Sequence, residues 1–246
     1  NFSMDIDAES LSGVLNFTDP NYNFLGNSIN YYVSSESSDR ATQGYENSIL
    51  STGINTSFEQ YKDLFAIVGI SASYDDLRTN SSATASLKKQ DGNFSEIAGN
   101  YGFKYDKRNQ AFMPTSGSVI SFNQKLPFYA DKQSISNTIT SSSYKTITEN
   151  VIGAGKFYIS AINGIGDDKV RISKRKTISQ RRLRGFKKGK VGPVDGDDHI
   201  GGNYVSAVNL EAQLPNFFPE SSRTELGIFL DAGNVWGVDY DASLDD

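Results

Sequence analysis

At 246 residues the chain is long enough for one large all-β domain or two smaller ones. It has no cysteine and a single histidine, His199, which excludes thiol catalysis, Cys-based zinc sites and an intrachain disulfide framework. A formal net charge of −5 gives no global drive toward nucleic acid, and no apolar run reaches the roughly 18 residues of a transmembrane helix.

Alternation begins at once, in Asn1-Phe2-Ser3-Met4-Asp5-Ile6-Asp7, which has neither the basic n-region nor the apolar core of a signal peptide. Alternating segments of about ten residues, the length a tilted membrane strand needs, then recur to the end. They fall at 1–7, 12–18, 28–35, 48–57, 64–75, 96–106, 118–126, 138–147, 151–163, 203–214 and 223–236. In the fifth, Ala66, Val68, Ile70, Ala72 and Tyr74 oppose Ile67, Gly69, Ser71 and Ser73; in the sixth, Ile97, Gly99, Tyr101, Phe103 and Tyr105 oppose Ala98, Asn100, Gly102 and Lys104. No segment shows a convincing 3.6-residue period. Aromatic content, Tyr 13 and Phe 15 against one Trp, suits strands.

The connections 19–22, 107–117 and 215–222 read as compact turns, and 74–93 and 165–202 as long, polar, charged loops. All 6 prolines, Pro20, Pro114, Pro127, Pro193, Pro215 and Pro219, are expected between strands, where no ladder hydrogen bond is lost. Short turns on one rim, long loops on the other, and Tyr22, Phe24, Phe128, Tyr129, Phe217 and Phe218 near strand ends as an interfacial girdle describe an antiparallel transmembrane β-barrel. Mean hydropathy of −0.45 does not oppose this, because a barrel alternates lipid-facing with lumen-facing residues. The alternative is a soluble β-sandwich with the same alternation. Eleven strands is an odd count, whereas bacterial single-chain barrels are even-numbered, and an open sheet in lipid would leave unpaired backbone at two edges. The expectation is therefore part of a longer barrel.

Two strands near the end each carry an acid on an otherwise polar face. Val208, Leu210, Ala212 and Leu214 share one face of the first, leaving Asn209, Glu211 and Gln213 on the other. Leu226, Ile228, Leu230 and Ala232 line up in the second, with Glu225 and Asp231 opposite. A one-residue slip would turn every apolar group the wrong way, so Glu211 and Asp231 look to the same side of the sheet. A loop arginine can meet them there.

Four motifs in order carry a resemblance to a known family: Phe17-Thr18-Asp19-Pro20; Tyr105-Asp106-Lys107-Arg108 with Pro114-Thr115-Ser116-Gly117; Leu183-Arg184-Gly185-Phe186; and Gly201-Gly202-Asn203 leading to Glu211, with Asp231-Ala232-Gly233-Asn234-Val235-Trp236. Together they resemble the barrel of the BamA family of outer-membrane assembly factors, across essentially the whole chain. The departures are Ile178-Ser179-Gln180-Arg181-Arg182 in place of a Gly-Gly pair before the loop signature, and Leu183 in place of Val or Ile.

The resemblance implies that residues 1–246 form the third to the thirteenth strand of a sixteen-stranded barrel. The POTRA repeats and the lateral gate would then lie outside the chain. It also implies that loop 165–202 folds into the lumen. Arg184, Gly185 and Phe186 would form a latch there: Arg184 pairs with Glu211 and Asp231, Gly185 permits a tight bend, and Phe186 is an apolar anchor. A guanidinium fork suits paired carboxylates. The implied function is folding and insertion of β-barrel proteins in the bacterial outer membrane. The implied partners are unfolded outer-membrane β-barrel clients, accessory lipoproteins of the assembly complex and outer-membrane lipids. Alternatives are a two-partner-secretion or TamA-like translocation pore, then a passive porin.

No enzymatic activity, cofactor or metal is expected. Asp195-Gly196-Asp197-Asp198-His199 lacks the spacing of a calcium loop and reads as a solvated turn. His199 has no Ser or Cys partner motif, and Asp75-Asp76 and Asp167-Asp168 sit at loop edges. Lys169, Arg171, Lys174, Arg175, Lys176, Arg181, Arg182, Lys187, Lys188 and Lys190 make the long loop basic, suited to anionic lipid or to acidic lumen residues. Nucleic acid, which a basic stretch can also suit, is not the expected partner, because interleaved aromatics are nearly absent and the flanks are membrane-type strands.

Overall fold

The structure is a computed structural model that describes residues 2–7, 10–40, 44–187, 189–195, 198–214 and 226–239. Among these, eleven strands form one antiparallel sheet in chain order: β1 (Phe2–Asp7), β2 (Ser10–Asp19), β3 (Ser28–Arg40), β4 (Tyr45–Tyr61), β5 (Leu64–Thr79), β6 (Gly92–Asp106), β7 (Gly117–Ala130), β8 (Ser134–Thr148), β9 (Val151–Gly164), β12 (Tyr204–Leu214) and β13 (Leu226–Trp236). The two-residue strands β10 (Val194–Asp195) and β11 (Asp198–His199) make a small hairpin within the long loop. Each sequence-expected strand is present. Phe217, Phe218, Pro215, Pro219, Glu225, Lys188 and the acidic end of the chain lie outside the described residues.

Register fixes which face is which. Ala72 pairs with Ile97 and Ser73 with Glu96, so Val68, Ile70, Tyr74, Ile97, Tyr101 and Phe103 share one face, and all six are exposed. Leu210, Ile228 and Leu230 continue this apolar belt at the other end of the sheet. The opposite face presents Ser71, Ser73, Asp75, Glu96 and Asn100 on β5 and β6, and Asn209, Glu211 and Asp231 on β12 and β13. One loop, 165–202, touches that face on β5, β6, β8, β9, β12 and β13, so the sheet curls around it. An exposed apolar exterior around a polar interior is the inverse of a soluble sandwich, in which the apolar faces pack together.

The buried apolar residues are concentrated where the loop meets the wall. Leu77, Ala83, Leu87, Ile172 and Ile200 form one cluster, and Ile178, Leu183, Val205, Ala207 and Val235 form a second. The first includes a short helix, α1 (Ala85–Lys88), which the sequence did not announce. Four residues cannot show a helical period. Thr84 caps it by accepting the Leu87 N–H at 3.4 Å, and Leu87 buries fully.

Three expectations are corrected. Strands run past ten residues, to 17 in β4 and 16 in β5. Loop length does not alternate cleanly: the connections 41–44 and 131–133 are short although they share a rim with 80–91 and 165–203. Pro127 lies within β7, opposite Ala98, not between strands. Its place is tolerable because the β6–β7 register shifts there and the β7–β8 pairing has already ended at Lys125 and Ser136. The missing N–H therefore leaves no ladder bond unmade on that side.

Candidate functional site: a loop anchored to the inner wall

Residues 179–183 turn tightly, with the N–H groups of Arg182 and Leu183 both donating to the Ser179 carbonyl at 2.9 and 3.1 Å. The turn delivers Leu183 into the second apolar cluster, beside Ile178, Val205, Ala207 and Val235. It also sets Arg184 against β12 and β13, where Asn209 pairs with Asp231 and Glu211 with Phe229. Gly185 follows at φ 87°, a left-handed conformation that a side chain would strain.

Arg184 addresses Asp231 with three donors: backbone N–H to Oδ2 at 3.0 Å, Nε to Oδ2 at 2.7 Å and Nη2 to Oδ1 at 2.6 Å. Nη2 also reaches Glu211 Oε1 at 3.0 Å. Glu211 in turn accepts from Lys156 on β9 at 2.5 Å. The guanidinium lies over the Phe229 ring, 3.7 Å from its centroid. Asn209 Nδ2 donates to Asp231 Oδ1 at 2.7 Å and to the Arg182 carbonyl at 2.8 Å, so one side chain holds both wall and loop. Two cations face two carboxylates and the constellation is neutral. Its acceptors, Asp231 first, hold the Arg184 guanidinium more firmly protonated than a free one.

The structure thus brings Arg184, Glu211 and Asp231 together at hydrogen-bonding distance. Phe186 does not serve as the apolar anchor: it is 56% exposed, and Leu183, on the inward side of the turn, buries in its stead. Lys156, Asn209 and Phe229 were missed as participants, although strand parity puts all three on the face of Glu211 and Asp231. Gly233 was missed for a different reason. A Cβ there would collide with Ile178 Cδ1, so the glycine makes the space that the loop's isoleucine fills.

A second anchorage lies on the other wall. Arg171 Nη1 meets Asp75 Oδ2 at 3.0 Å, and the Ser173 hydroxyl donates to the same oxygen at 2.5 Å. The Arg171 guanidinium lies over Phe94 at 3.2 Å, and Lys174 pairs with Glu96. Burial draws Arg171 down to about 10, still charged at neutral pH. Lys169, Arg181, Lys187 and Lys190 remain exposed, whereas Arg182 stacks on Tyr158 at 3.6 Å. Asp75, on the inward parity of β5, has a structural partner here, and Asp168 holds Lys132 at 3.0 Å and the Gln133 N–H at 2.9 Å. Asp195 accepts from Thr84 at 2.8 Å, tying the β10–β11 hairpin to α1. Among the described residues no group of three or more His, Asp or Glu side chains is arranged to hold a metal ion.

An antiparallel sheet with an apolar exterior, curled round a long loop ion-paired to its polar interior, defines a membrane β-barrel protein with an internal loop. Residues 1–245 match the Omp85 superfamily domain, and the chain belongs to that superfamily of outer-membrane barrels. The Sorting and assembly machinery component 50 homolog A of Xenopus laevis is 24% identical over 168 residues, 64% of this chain and 36% of that protein. The structure is similar to BamA from Haemophilus ducreyi lacking POTRA domains 1–3, with TM-score 0.79 and 20% identity over 93% of this chain and 50% of that one. It is also similar to CdiB from Acinetobacter baumannii, with TM-score 0.57 and 13% identity over 94% of this chain and 41% of that one. The chain spans about a third to a half of the length of these relatives.

Proposed function

We propose that this chain is the central part of the barrel of a bacterial outer-membrane assembly factor, which folds and inserts client β-barrel proteins. The observation that carries the reading is the loop ion-paired across the inner wall through Arg184, Asp231 and Glu211. A passive channel would share the strands but has little need of a loop arginine paired with two carboxylates on its inner wall. Assembly by such a protein needs no nucleotide and no catalytic side chain, because the folding free energy of the client drives insertion. The protein's own part is to offer strand edges and a locally thinned bilayer. Unfolded β-strand clients, accessory lipoproteins and outer-membrane lipids are the partners of this reading.

A dedicated secretion pore is the second reading, favoured by the likeness to CdiB but at a TM-score of 0.57 against 0.79 for BamA. Depletion of the full-length protein, followed by quantitative profiling of the outer membrane, separates the two. Simultaneous loss of many unrelated barrels is the expected result, and Arg184→Ala should reproduce it in part. Loss of one exported protein with other barrels unchanged would retire assembly in favour of secretion.

A further inference from the structure

Behind the second anchorage the loop and the wall border a half-open cavity of about 210 Å³, with Asp75, Glu96, Lys125, Ser136, Lys174 and Lys176 among its lining residues. That is room for several waters at about 30 Å³ each, or for one tetrahedral oxyanion with part of its hydration. The lining is unbalanced. Asp75 is taken by Arg171, and Glu96 by Lys174, with Lys125 more distant at 3.4 Å. Counting Arg171 with the lining residues, four cations stand against two carboxylates.

Lys176 has the least compensation. It donates to Ser136 Oγ at 2.9 Å, and among the described residues it enters no ion pair. Burial, and then the like charge of Lys125, lower its affinity for a proton. Its backbone is fixed by reciprocal hydrogen bonds with Gly202 at 2.7 and 3.0 Å, so the ammonium cannot relocate far to find an acid. The hydroxyls of Ser51, Ser73 and Ser134 add donors around the same space. A surplus of positive charge in a half-open cavity lined by hydroxyl side chains differs from a solvated lysine face.

We infer that this cavity is an anion site for a phosphate group, held by Lys176, Lys125 and the serine hydroxyls, which ties the first half of the loop to β7 and β8. Inorganic phosphate and the phosphomonoester of a lipid headgroup share this chemistry. The site is separate from the Arg184 constellation and does not depend on the assembly reading, since it tests binding and not client insertion.

The experiment is a calorimetric titration of the full-length protein in zwitterionic detergent with inorganic phosphate, ionic strength held constant by chloride. Saturable binding below about 10 mM is expected, weakened about tenfold in Lys176→Gln, the loss typical of one charged hydrogen bond. Ser136→Ala should weaken it less, and Arg181→Gln, at an exposed position off the cavity, should not change it. The heat-dependent gel shift of each variant verifies that the barrel is folded. Dihexanoyl phosphatidate is then added as competitor: displacement of phosphate at lower concentration assigns the site to a lipid headgroup, and no displacement assigns it to the free anion. Either supports the inference. Absence of saturable phosphate binding in the wild type, or binding by folded Lys176→Gln equal to wild type, overturns it.

Discussion

The long loop is fastened at two places, and the two are built differently. At Arg171 and Asp75 both side chains are almost sealed, 4% and 7% exposed, and the guanidinium makes one hydrogen bond to the carboxylate. At Arg184 the carboxylate, Asp231, is as sealed at 4% exposed, but the arginine is 31% exposed, and Asp231 takes three hydrogen bonds from it and a fourth from Asn209. The first anchorage draws its energetic weight from burial of both partners and the second, with a partly exposed arginine, from geometry. Burial makes a pair costly to break without making it a source of net stability. Geometry makes a pair selective for the residue that fits it. The rim-side anchorage therefore holds the loop in, and the Arg184 anchorage holds it in register.

The largest effect should come from Asp75→Ala, which leaves Arg171 charged and buried over Phe94 without its hydrogen-bonded carboxylate, Asp131 acting on it only through charge. A loss of about 3–5 kcal/mol is expected, read as a lowered midpoint of the heat-dependent gel shift. If Arg184→Ala cost more than Asp75→Ala, the contrast between burial and geometry would be broken. Leu183→Ala comes next, at about 2–4 kcal/mol, since it removes one of the two buried side chains that the loop gives to the second apolar cluster, Ile178 being the other. Arg184→Lys should cost about 1–2 kcal/mol and reduce assembly in a depletion strain. It keeps the charge but cannot reproduce the paired contacts to Asp231, so activity equal to wild type would show that charge alone suffices.

The smallest effect is expected at Asp168, which ties 131–133 to the start of the loop. Its carboxyl is held below the ordinary range first by the Gln133 N–H and then by Lys132. A depressed folded pKa means that the contribution is complete above the unfolded value and is lost as pH falls through the folded one. Asp168→Asn should cost under about 1 kcal/mol at neutral pH and flatten that acid limb. A cost as large as that of Asp75→Ala would mean that exposed and sealed pairs are equivalent here.

Strand periodicity carried most of the fold into view, and for a physical reason: a two-residue period commits every side chain to a face, and eleven strands repeat the commitment. The same parity puts Glu211 and Asp231 on one side from the sequence alone. What parity cannot give is depth or neighbourhood along the loop. Leu183 and Phe186 flank the same Arg-Gly pair, and only the 179–183 turn decides that Leu183 is the buried one. Asp75 read as a loop-edge acid because β5 continues four residues beyond its apolar alternation, to Thr79. Pro127 read as a boundary because nothing local signals that the neighbouring strand has already stopped pairing.

On the inward row of β13, Asp231, Gly233 and Val235 stand at successive positions and receive three different parts of the loop. These are Arg184, Ile178, and the backbone at Gly192, where an added Cβ would lie 2.7 Å from Val235 Cβ. Alternation of apolar and polar residues forbids a slip by one residue but is blind to a slip by two. The row is not blind to it: a shift of two one way would set a carboxylate where Ile178 needs empty space, and a shift of two the other way would set a valine there and a glycine where Arg184 needs an acid. The loop thus works as a key with three cuts, and the order of the cuts encodes the one strand alignment that the hydrophobic code leaves ambiguous.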